Sequence, residues 1–90
     1  MDNIQKPFYR MATNNVSDTV NAVDDSGETR SFVGFYPNAD GAVIVVLDDP
    51  GTDKTVLLEC LKGHFYPIRG VRINGTGTTA TAYAAVFNNQ

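Results

Sequence analysis

The sequence predicts an all-β fold: a small antiparallel β-sandwich or jelly-roll-like barrel with an extended N-terminal arm. Three observations predict it. Short runs rich in β-branched and aromatic residues recur at spacings of roughly 8–12 residues. Turn chemistry separates them at Pro37-Asn38-Ala39-Asp40-Gly41, at Asp48-Asp49-Pro50-Gly51 and from Asn74 to Thr79. No segment repeats its apolar residues at the roughly 3.6-residue spacing of an amphipathic helix. Ala80 to Ala85 is helical by composition alone, and its threonines and Tyr83 favour extended backbone.

Taken in order, residues 1–19 read as an arm and residues 20–90 as a single sandwich domain. The arm is polar and turn-prone except at Pro7-Phe8-Tyr9, where two adjacent aromatics mark a docking point. Val20 to Val23 is a short strand candidate. Thr29 to Tyr36 is a stronger one, with Gly34 as a bulge or close-packing point. Pro37 to Gly41 reads as a hairpin turn, because proline fixes φ and Asp40-Gly41 supplies a positive φ. Ala42 to Leu47 (AVIVVL) is an unbroken apolar run, and Asp48 to Gly51 turns the chain again. Thr55 to Leu61 follows, with Val56, Leu58 and Cys60 on one face. His64 to Ile73 is extended and bent near Pro67 and Gly70, and Ala80 to Phe87 closes the domain.

Ninety residues make one domain with a thin core. A chain near this size buries little more than roughly 60% of its unfolded surface, so it needs a crosslink, a metal or a partner. Cys60 is the single cysteine, which rules out an internal disulfide. Its apolar neighbours predict a buried thiol. His64, the single histidine, lies four residues on. At about 3.3 Å per extended residue it is more than roughly 10 Å away, too far to act as its base. One histidine and one cysteine do not complete a zinc site within one chain. Assembly is the support that remains. AVIVVL points the same way, because a strand without alternation needs cover on both faces, from the arm or from a neighbouring subunit.

The net charge of −3 and pI of about 4.7, with seven basic residues dispersed, exclude a basic nucleic-acid stripe. Apolar runs fall well short of the roughly 20 residues of a membrane-spanning helix, and Met1 to Lys6 lacks a secretory core. The expectation is a chain made and kept in a cytoplasm, or packed from there into a particle, with no nucleic-acid or membrane partner. Gly75-Thr76-Gly77-Thr78-Thr79-Ala80 fits the dinucleotide fingerprint, but the following residues read as strand and contain no acid. No cofactor is expected. Asp48, Asp49 and Asp53, like Asp24, Asp25 and Glu28, read as solvated turns rather than calcium loops. Asn15-Val16-Ser17 and Asn74-Gly75-Thr76 match glycosylation acceptors, which carry no meaning without a secretory route. With carboxylates confined to turns and one histidine, no catalytic constellation emerges, and the chain is not read as an enzyme.

Gly63 to Ile73 (GHFYPIRGVRI), followed by Gly75 to Thr81 (GTGTTAT), reads as one piece. This pattern resembles small virion proteins of tailed phages and gene transfer agents, and in particular the head-spike base family. Ser17-Asp18-Thr19 and Gly34-Phe35-Tyr36 extend the likeness over roughly residues 17–87. The Phe8-Tyr9 arm and the Asn74-Gly75 start of the loop have no counterpart in it. The resemblance implies a sandwich protomer that forms a homo-oligomeric ring, a pentamer ahead of a trimer, on a capsid surface or vertex. Its partners would be the major capsid protein and a spike or fibre protein. Phe8, Tyr9, Phe65, Tyr66, Ile68, Arg69 and Arg72 are the expected interface residues, since aromatics and arginine concentrate at interface centres. In an extended strand Phe65 and Arg69 share one face, and Ile68 and Arg72 the other. The alternatives are a monomeric carbohydrate- or peptide-binding module, which would present aromatics around a groove, and a head-tail or tail accessory protein.

Overall fold

A computed structural model describes residues 9–48 and 54–88. Phe8, Asp49, Pro50, Gly51 and Asp53 lie outside the described residues. The fold is all-β. Its strands are β1 (Tyr9–Asn15), β2 (Gly34–Pro37), β3 (Gly41–Leu47), β4 (Thr55–Cys60), β5 (Gly70–Ile73) and β6 (Ala82–Asn88). They form two three-stranded antiparallel sheets, ordered β1–β6–β2 and β4–β3–β5.

Between the sheets lie Phe32, Phe35, Tyr83 and Phe87 with Val43, Val45 and Ile73. Phe32 meets Phe35 and Tyr83 edge-on, at centroid distances of 6.0 and 5.8 Å. Burying each such side chain stabilises the fold by about 1.5–3 kcal/mol. The same burial pushes the Tyr83 hydroxyl up to about 12. On β4 the inward residues are Val56, Leu58 and Cys60, as the alternation requires.

Within the span read as an arm, Tyr9–Asn15 is strand β1, paired with β6 from Tyr9↔Asn88 to Asn15↔Ala82. Its alternation is hard to see in the sequence because two of its more sheltered residues are polar. Arg10 pairs with Asp25 at 2.6 Å. The Asn14 amide donates to the Val23 carbonyl and accepts from the Val23 N–H, each at 3.0 Å.

Val20 to Val23 is not a strand; only Val23 forms a bridge, to Thr29. The chain instead runs beside β5, with Ser17 N–H donating to Ile73 O and Ala22 N–H to Val71 O. It then closes a tight loop around Asp24. That residue corrects the solvated-turn reading, because it is 3% exposed. Its carboxylate accepts from the Ser26 hydroxyl and N–H, the Glu28 N–H and the Arg30 guanidinium. The Ser26 hydroxyl, foremost among these, helps to hold the carboxyl well below the usual range.

Thr29 to Tyr36 divides between the sheets rather than forming one strand. Phe32 exchanges backbone hydrogen bonds with Gly70, next to β3, while Val33 donates to Val86 on β6. Pro37 to Gly41 is likewise not a hairpin, since β2 and β3 belong to different sheets. It is a corner. Asn38 accepts from Thr81 and Ala82 N–H, and Asp40 accepts from Lys62 N–H.

Candidate functional site

The outward side of the β1–β6–β2 sheet holds a groove of about 430 Å³. Register explains its floor: Met11 and Gly34 flank Val86 on opposite sides, so all three share one face. Tyr9 and Met11 project from β1, Val86 from β6, and Val33 and Tyr36 from β2 and its approach. The far wall is Phe65 and Pro67, from the segment that bridges to β2 through Tyr66 and Phe35.

Gly34 is what lets this wall approach. A Cβ there would fall 2.3 Å from the Phe65 ring and 2.9 Å from Tyr66 O. The ring therefore lies over bare backbone, tilted against Tyr36 at 5.1 Å. Tyr9, Met11 and Phe65 are 55%, 53% and 42% exposed. No charged side chain lines the groove, so its chemistry is burial of apolar groups, with the tyrosine hydroxyls as polar handles.

Among the residues expected at an interface, Tyr9 and Phe65 are brought together in this groove. Phe8 lies outside the described residues. Tyr66 is half-buried, its ring 5.7 Å from Phe35 and its hydroxyl accepting from Leu61 N–H at 2.7 Å. Ile68 packs against the core. Arg69 is exposed, on the same outward side as Phe65 and Pro67. Arg72 is half-buried and donates to Asn21 and Asn74. Sequence reading did not select Met11, Val33, Tyr36, Pro67 or Val86. The alternation of Tyr9 and Met11 with Arg10 and Ala12 was the available signal for β1.

Cys60 is buried, which pushes its thiol up, and His64 is exposed. The Gly75-to-Ala80 motif belongs to the loop between β5 and β6, where Thr76 donates to Asp18 through both N–H and hydroxyl. Among the described residues no group of three or more His, Cys, Asp or Glu is placed to hold a metal.

No protein-family model matches the chain, and no curated protein does. Among solved structures, the fold is similar to the capsid of a native gene transfer agent particle computed with C5 symmetry. The TM-score is 0.66 and the sequence identity 26%, over 88% of this chain and 83% of that one. A likeness spanning most of both chains supports a capsid-related protein of the phage and gene-transfer-agent kind.

Proposed function

We propose that this chain is a virion structural subunit, and within that class a spike-base or decoration subunit. It assembles into a ring of identical copies, five-fold, on a capsid surface or vertex, and anchors a spike or fibre. The observation that carries the reading is the likeness to a particle capsid across 88% of the chain. It supports a structural rather than an enzymatic role. The open apolar groove adds a surface suited to assembly, because exposed patches rimmed by polar residues mark interaction sites.

Electron microscopy of intact particles, reconstructed without imposed symmetry, tests the reading. Density for this sandwich in rings at the capsid surface supports it. Placement in the tail, or absence from the particle, overturns the spike-base role.

Tyr9, Tyr36 and Phe65 around a groove also favour a second reading, a monomeric binding module. A lining without carboxylate or amide suits an apolar peptide better than a sugar, whose hydroxyls need such partners. Light scattering separates the two readings: a strict monomer that titrates with peptide supports the module.

A further inference from the structure

Two outward faces of this chain carry one pattern with opposite charge. From Phe65 to Arg69 exposure alternates, so Phe65, Pro67 and Arg69 face out while Tyr66 and Ile68 turn in. The first two wall the groove, and Arg69 stands next to them along the same side. On β4 the outward residues are Thr55, Leu57 and Glu59. Leu57 is 57% exposed and Leu61, just beyond the strand, 52%. Among the described residues, the large exposed apolar side chains outside the groove are these two and Val20. β4 is also an outer strand of its sheet. Neither Glu59 nor Arg69 has an ion-pair partner among the described residues.

We infer that neighbouring copies join head to tail, with the β4 edge of one copy seated in the groove of the next. Leu57 enters the uncharged groove and Glu59 meets the partner's Arg69. The inference rests on the assembly reading and deepens it. A contact between two different surfaces of the same chain is heterologous, and it closes into a ring when the rotation permits. The groove supplies aromatic anchors, and the opposite charges set orientation and exclude the reversed pairing. A groove filled instead by the chain's own residues 1–8, or by an apolar ligand, would leave β4 uninvolved.

Charge reversal and cross-linking test this contact on the full chain. Arg69→Glu and Glu59→Arg should each raise the concentration needed for assembly on the order of tenfold, and the double reversal should restore it. Both sites are exposed, and near-UV circular dichroism checks that each variant keeps its fold. Separately, Met11→Cys and Leu57→Cys proteins should form a disulfide dimer on mixing but not alone, with wild type controlling for buried Cys60. Cross-linking of Met11→Cys to itself indicates a groove-to-groove contact and overturns the inference. Wild-type assembly that survives Arg69→Glu and Leu57→Asp overturns it too, and leaves the assembly reading standing. A wild type that stays monomeric at high concentration and on purified particles removes both.

Discussion

On the β4–β3–β5 sheet, the outward side of β3 carries Ala42 and Ile44, and the loop from Asn74 to Thr79 lies against them. Asn74 N–H donates to Ile44 O, and Thr79 N–H to Ala42 O. Thr78 Oγ1 accepts from Ile44 N–H. Gly77 sits so close that a Cβ there would fall 2.6 Å from Ile44 Cδ1. Asp18 pins this loop through Thr76. The outward side of the β1–β6–β2 sheet carries Tyr9, Met11 and Val86, and there the groove stays open. At Ile44 the apolar face is met by its own chain, although Leu57, its partner on β4, stays 57% exposed; the groove face is left open. The difference lies in the connections. The β5–β6 loop runs on alongside β3 and brings Gly77 against Ile44, whereas the β2–β3 corner leads away to the other sheet. An apolar strand shows that cover is needed; it does not show what provides it.

Phe32→Ala removes a ring shared by both sheets and should have the largest effect, about 3–5 kcal/mol in urea unfolding. It sets the scale for the core between them. Gly77→Val attacks the covered face. Gly77 has φ +87, and the new side chain meets Ile44, so the cost should be about 1–3 kcal/mol. Increased binding of an apolar dye should accompany it as the loop lifts from β3.

Ile44→Ala against Met11→Ala is the direct comparison. Half-buried Ile44 should cost about 1–2 kcal/mol, below the range for a full core position, and exposed Met11 within about 0.5 kcal/mol. Equal losses would mean that the groove is already covered in the isolated chain. Acid should weaken both sides: on the covered one Thr76 holds the Asp18 carboxyl below its usual range, and on the open sheet a polar knot braces its end. Arg30 reaches from Asp24 to the Asn88 carbonyl, and Arg10 pairs with Asp25. The folded-state pKa of Asp24 is depressed, so its contribution is present above the unfolded value of about 3.9 and lost as pH falls below it. Melting temperature against pH should show this decline, and Asp24→Asn should flatten it.

The sandwich was legible in β3, β4 and β6, because β-branched and apolar runs bounded by turn residues carry their own signal. The groove was legible only at Tyr9 and Phe65. Val20 to Val23 misled because its backbone donates to β5 without forming a regular strand, guided by the Asp24 loop rather than by its own composition. Pro37 to Gly41 misled for a related reason: a tight turn is local, but which sheets it joins is not. Arg69 was singled out by type, and the alternation around Pro67 shows which way it faces.

By itself, the sequence determined that the chain is all-β and holds no internal disulfide, and it set the expectation that a thin core would look to assembly for support. These follow from side-chain volume, propensity and cysteine count, which depend on neighbours close in the chain. Only the tertiary structure decided that β1 joins β6, that the Gly-Thr loop shields β3, and that Met11, Tyr36 and Val86 share an open groove with Phe65. Those depend on pairings between residues tens of positions apart, where register and loop path choose which apolar face is sealed.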